Sequence, residues 1–239
     1  MKTVLITGGA GYLGYRILKK IKNNYRIIIL DNFLYSEPDD LKKISKKIKY
    51  YTGNAEDKYL LAKIFSKKID SVIHLSGLSN DPSSALNPDL TRKANDESTI
   101  NLLNISKRKK VKRFIFASSC SVYGFTGSKK FVTEKAKLNP LSEYAISKVK
   151  CEKMIKKFAN KSLTTVSLRK GTLFGPSFRM RFDLVVNNMV AMALAEKKII
   201  LNGGNQWRPF LHIDDAADAY IKMLTVDKDK INGKIFNVG

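Results

Sequence analysis

The chain has 239 residues, 44% of them hydrophobic and 10% aromatic, enough for one large domain with or without a small lobe. Disorder is excluded as a description of the whole. Its formal charge of +23 raises a nucleic-acid reading, but the lysines are spread along the chain and no RNA- or DNA-binding motif accompanies them, so nucleic acid is not the expected partner. No apolar run reaches the roughly 18 to 20 residues that span a bilayer. Thr3–Thr7 starts a strand at once, without the apolar leader of a signal peptide. Cys120 and Cys151 show no CxxC spacing. Reduced thiols, no metal site and a cytoplasmic setting are therefore expected.

In chain order, nearly continuous apolar runs predict strands at Thr3–Thr7, Arg26–Leu30, Ile48–Thr52, Ser71–Leu75, Arg113–Ser118 and Thr164–Arg169. Such runs suit parallel strands covered on both faces. Helical patterns lie between them at Gly11–Lys22, Asp57–Phe65, Ala94–Arg108 and Glu143–Phe158. The alternation predicts an α/β fold with a doubly wound, Rossmann-like parallel sheet. Beyond about residue 170 the rhythm loosens. A helix is expected at Asp183–Ala195, a short strand at Ile199–Leu201, a polar loop at 202–209 and a helix at Asp214–Thr225. Residues 1–170 thus read as a dinucleotide-binding domain. Residues 171–239 read as a partial substrate lobe interleaved with it.

Gly8, Gly11 and Gly14 give the spacing G-x-x-G-x-x-G between the first strand and first helix. Glycines there allow a tight turn and close backbone approach to pyrophosphate, and the helix supplies free N–H groups. Asp31 closes the second strand, where a carboxylate can grip the adenosine ribose hydroxyls. It would repel a 2′-phosphate, and no arginine occurs in Asn32–Ser36, so NAD is expected over NADP.

Tyr144 and Lys148 stand four apart on a predicted helix and share a face. An ammonium beside a phenol favours the phenolate, which then serves as a base. Ser119, at the end of the fifth strand, can hydrogen-bond the hydroxyl that Tyr144 deprotonates. His74 and His212 have no metal-ligand neighbours at suitable spacing and read as structural.

Together, TGGAGYLG at 7–14, LDN at 30–32, TGNAED at 52–57, HLSG at 74–77, SSCSVYG at 118–124, YAISK at 144–148 and RPFLHIDD at 208–215 resemble the extended short-chain dehydrogenase/reductases. The likeness is to the NAD-dependent epimerase/dehydratase branch acting on nucleotide sugars. It implies that Gly8, Gly11, Tyr12, Leu13 and Gly14 meet the pyrophosphate, that Asp31 and Asn32 hold the ribose, and that Asn54 and Ala55 flank the adenine. Leu75, Ser76 and Gly77 would line the nicotinamide end near Asn95. Ser119, Tyr144 and Lys148 would be catalytic, with Tyr144 and Lys148 also touching the cofactor. Ser79, Asn187 and Arg208 would join Ser119 and Tyr144 in holding a nucleotide-diphosphate sugar. The resemblance also implies a homodimer through helices near 94–108 and 143–158.

Departures from the pattern narrow the reading. Asn54 stands where many relatives have Asp. Cys120 and Ser121 follow Ser119, where 4,6-dehydratases carry an Asp-Glu pair, which counts against dehydration. The family continues for many tens of residues past the point where this chain stops, so a small, truncated substrate lobe is expected. The function implied is NAD-dependent oxidation or epimerisation at C4, by a 4-epimerase or C4 dehydrogenase. A 4-keto-sugar reductase is the alternative, and a non-catalytic cofactor-binding or nucleic-acid-associated protein a more distant one.

Overall fold

A computed structural model describes residues 1–79, 81–125, 131–201 and 203–239, without the side chains of 81–83. Asn202, the first residue of the expected polar loop, lies outside the described residues. Seven strands form one parallel sheet: β1 (Thr3–Thr7), β2 (Arg26–Asp31), β3 (Lys49–Thr52), β4 (Ser71–His74), β5 (Arg113–Ser119), β6 (Thr164–Lys170) and, near the end of the chain, β9 (Lys234–Val238). Their order is β3-β2-β1-β4-β5-β6-β9. Because β2 and β4 flank β1 on opposite sides, the winding reverses there, and a crevice opens beyond the carboxyl ends of β1 and β4.

Alternation along each strand sends side chains to two cores. Val4, Ile6, Ile27 and Ile29 pack with α1 (Tyr12–Ile21), with Leu41 of α2 (Pro38–Ile44) and with α9 (Ile213–Met223) on one face. Leu5, Ile28, Val72 and Phe114 meet α3 (Lys58–Ile64), α6 (Ser98–Arg108) and α7 (Glu143–Phe158) on the other. Every β1 residue is buried, which explains its unbroken apolar run. Full burial of one such leucine or isoleucine contributes about 1.5–3 kcal/mol. Two short helices, α4 (Asp81–Leu86) and α5 (Pro88–Thr91), lead into a π-type turn at Arg92–Glu97 that continues into α6.

His74 ends β4 inside this packing, 1% exposed. Its Nδ1 lies 2.7 Å from Thr7 Oγ1 and its Nε2 3.0 Å from Thr99 Oγ1. Burial, and secondarily the charge of Lys148, depress the imidazole to about 3. The unfolded chain therefore takes up a proton at pH values where the folded chain does not. This contribution to stability is complete above about 6.5 and falls away toward 3, by about 1.4 kcal/mol per pH unit. Urea unfolding should show its midpoint falling between about pH 7 and 4.5, and falling less in a His74→Gln variant. An equal fall in both would refute the assignment.

The C-terminal part was harder to anticipate. β7 (Thr172–Phe174) pairs in parallel with β8 (Phe210–His212) as a separate two-stranded ribbon. α9 packs on α1, and after α10 (Lys228–Ile231) β9 joins the main sheet. α8 (Val185–Glu196) buries only Asn187. The strand expected at Ile199–Leu201 does not form: those residues are exposed, half or more of each, and have no strand partner. Their β-branched character had no neighbouring ladder to satisfy.

Candidate active site

The turn after β1 is built by backbone crowding. Gly8 has φ +70, and a Cβ on it would lie 2.7 Å from the Ser76 nitrogen, while one on Gly14 would lie within the Gly9 carbonyl. Any side chain at either position would therefore displace backbone. Gly11 stands at the cap position of α1, which therefore has no side-chain cap and carries no acid in its first turn. By contrast Asp57 caps α3 and Ser142 caps α7 through side-chain oxygens. The uncapped N–H groups of α1 face a cleft of about 380 Å³ and suit an anion such as pyrophosphate.

That cleft gathers most of the expected cofactor residues. Gly8, Gly11, Tyr12, Leu13, Gly14, Asp31, Asn32, Asn54, Ala55, Leu75, Ser76 and Gly77 line it, and so does Ser79, expected to meet the substrate. Asp31 accepts hydrogen bonds from the Ala10 N–H at 2.9 Å and the Phe33 N–H at 3.0 Å. Burial pushes its carboxyl above the usual range, with those N–H groups and the charge of Arg179 opposing. Asn32 Nδ2 donates to Asn54 Oδ1 at 3.0 Å, so the two expected ribose and adenine contacts brace each other.

Ser142 caps α7 by accepting from the Ala145 N–H, which fixes where the helix begins and therefore where Tyr144 points. Tyr144 is 6% and Lys148 4% exposed. The Lys148 Nζ stands 5.5 Å from the Tyr144 ring centroid and 4.7 Å from that of Phe116 on β5. Burial lowers its pKa, and Cys151, Asp96 and Glu152 act in the opposite direction. Ser119 ends β5, half-buried, its Oγ accepting from the Ser121 N–H at 3.2 Å and the Ser121 hydroxyl at 3.0 Å. Tyr144 and Lys148 thus pack together against the strand that Ser119 terminates.

A buried ionic cluster fixes that arrangement. Arg169 of β6 donates to both Glu152 oxygens, at 2.8 and 2.7 Å, and to the Tyr123 hydroxyl at 2.8 Å. The Ser118 hydroxyl donates to Glu152 Oε1 at 2.5 Å, and Tyr123 donates to Asn237 Oδ1 at 2.6 Å. One cluster therefore ties β5, β6, β9 and α7 together one residue from Ser119.

Other expected contacts are spent within the protein. The Asn95 amide accepts from the Leu78 N–H at 2.8 Å and donates to Ser147 Oγ at 3.0 Å, so it holds α7 to the loop after β4. Asn187 accepts from the Gly175 N–H at 3.0 Å and donates to the Tyr12 hydroxyl at 3.0 Å. Arg208 is exposed on its loop, near enough to act on the Cys120 thiol. Three cations line the cleft that sequence reasoning missed: Lys170, Arg179 and Arg181. Arg181 donates to Ser79 Oγ at 3.0 Å, while Arg179 lies 4.5 Å from the Tyr35 ring at the Asp31 end. The one available signal was Lys170, which immediately follows a predicted strand at the ligand-binding edge. Both cysteines are free, and no cluster of metal-ligating side chains occurs among the described residues. No helix among them is long and apolar enough to cross a membrane.

The glycine turn, the strand-end acid and the buried Tyr–Lys pair on one sheet edge define a Rossmann-type dinucleotide-binding enzyme. The chain belongs to the NAD dependent epimerase/dehydratase family, whose model matches residues 4–239, and NAD is the cofactor of that family. It is 31% identical to a dTDP-D-glucose 4,6-dehydratase of Dictyostelium discoideum, covering 100% of this chain and 58% of that protein. It is 30% identical to a UDP-glucose 4-epimerase of Yersinia enterocolitica, covering 93% of this chain and 73% of the relative. A UDP-glucose 4-epimerase of Thermotoga maritima, solved with UDP-glucose, superposes with a TM-score of 0.89 at 26% identity, over 99% of this chain and 76% of the other.

Proposed function

We propose that this protein reversibly oxidises the C4 hydroxyl of a nucleotide-diphosphate hexose, as a 4-epimerase or a C4 dehydrogenase. The observation that carries the reading is the buried pair of Tyr144 and Lys148, packed 5.5 Å apart against the strand that Ser119 ends. Tyr144 takes the hydroxyl proton, Ser119 holds the same oxygen by a hydrogen bond, and Lys148 stabilises the phenolate and holds the nicotinamide ribose. Gly8, Gly11, Tyr12, Leu13 and Gly14 hold the pyrophosphate, and Asp31 with Asn32 the ribose. Asn54 and Ala55 flank the adenine, and Leu75–Gly77 line the far end. NAD, when bound, supplies a reversible hydride acceptor. Ser79 and Arg208, with the newly found Arg181, are suited to the substrate diphosphate. Asn95 and Asn187 act by positioning these groups. Ser119 is followed by Cys120 and Ser121, neither of which supplies the acids that water elimination needs. A homodimer and a cytoplasmic location belong to this reading through family likeness.

Incubation with NAD and a panel of UDP-, GDP-, dTDP- and CDP-hexoses tests it. A 4-epimer, or a ketone with NADH, is expected from one nucleotide series. Consumption of NADH by a 4-keto sugar alone would move the assignment to a reductase, and silence across the panel would overturn it.

A further inference from the structure

Lys170 has no part in the proton transfer above, yet the sheet delivers it to the same place. It closes β6 directly opposite Ser119 in the parallel register, at the edge where ligands of open α/β sheets bind. Its half-buried side chain lines the cleft with Gly77, Ala117 and Leu173, and its Nζ donates to the Ser118 carbonyl at 3.0 Å. The groups acting on it are Lys148 of α7 and Arg181, both cationic, and the Cys120 thiol at the end of β5, which burial raises and keeps neutral. The nearby acids are engaged: Glu152 of α7 holds Arg169 and Ser118, and Asp183 pairs with Arg181. His74 of β4 is neutral. Burial, reinforced by Lys148, pushes the Lys170 ammonium down to about 7.

We propose that Lys170 is a second ammonium at the hydride-transfer end of the cleft, and that its charge makes the protein hold the reduced dinucleotide more tightly than the oxidised one. The inference rests on the dinucleotide reading of the cleft. Its basis is Coulombic: the oxidised nicotinamide is positive and the reduced ring is not, so a nearby cation penalises only the former. Lys148 adds to this bias from α7, and Lys170 from the cavity wall at the end of β6. Below about 7 it is charged and the bias is present; as pH rises through that value the proton leaves and the bias relaxes. The bias acts on the bound cofactor alone: at low pH the charged Lys170 favours the reduced, uncharged nicotinamide over the oxidised one.

Equilibrium binding tests this apart from turnover. Dissociation constants for NAD and NADH are measured by calorimetry on the full chain at pH 6 and 8.5. In wild-type protein the ratio of the NAD constant to the NADH constant should fall about fivefold across that range. In Lys170→Met it should be low and flat, and in Lys170→Arg high at both pH values. A wild-type ratio indifferent to pH, or one that Lys170→Met leaves intact, overturns the inference while leaving the cofactor site standing. The wild-type comparison needs no variant to fold. Failure to bind either nucleotide overturns the dinucleotide reading, and this inference with it.

Discussion

Replacing Tyr144 with phenylalanine will lower turnover of the nucleotide sugar by about 100- to 10,000-fold, with little change in stability or in NAD affinity. The ring is 6% exposed and packs beside Lys148, contacts that phenylalanine keeps; only the hydroxyl proposed to take the substrate proton is lost. Steady-state kinetics on the substrate found in the panel, with circular dichroism as a control for folding, reads the effect. The loss should fall on kcat more than on KM, because proton transfer is made in the transition state. Turnover close to wild type would remove Tyr144 from the chemistry, and with it the proposed mechanism.

The second large effect is on stability. Glu152→Ala leaves the Arg169 guanidinium, 3% exposed, without its bidentate partner. Breaking a buried pair from one side costs about 3–5 kcal/mol, a large part of the roughly 5–15 kcal/mol that holds a typical domain folded. The urea midpoint should drop accordingly at unchanged slope. Removing both charges in Glu152→Met with Arg169→Met should recover part of the loss, since the penalty is for the stranded cation rather than for the absent bond. A Glu152→Ala midpoint equal to wild type would show that the cluster does not hold β5, β6 and α7 together.

How much of this was legible in the sequence follows from where the free energy lies. β1, β2, β4, β5 and β6 are covered on both faces, so their apolar runs announced them, and Tyr144 and Lys148 could be paired by helical spacing alone. α2 escaped because only Leu41 is buried in it, leaving no periodicity; Pro38 at its start was the available sign. β7 and β8 are three residues each, too short to show a pattern. β9 is a half-buried edge strand. In the site, the glycine turn and Asp31 were readable because backbone geometry demands those residue types. Lys170, Arg179 and Arg181 were not, since nothing local separates a cleft lysine or arginine from the many on the surface. Arg179 in particular reaches Asp31 only through the fold, so the absence of arginine from Asn32–Ser36 did not describe the neighbourhood of that carboxylate.

The hydroxyl of Tyr12 donates to the Gly175 carbonyl at 2.5 Å and receives the Asn187 amide at 3.0 Å, while Ser177 donates to the Tyr12 carbonyl at 2.7 Å. These three bonds rivet the first turn of α1 to the stretch that leads into α8. A dinucleotide bound on that turn would bear, through these bonds, on the stretch that leads into α8, and so on any second ligand held there. Two ligands that need never touch there would still feel each other through one tyrosine.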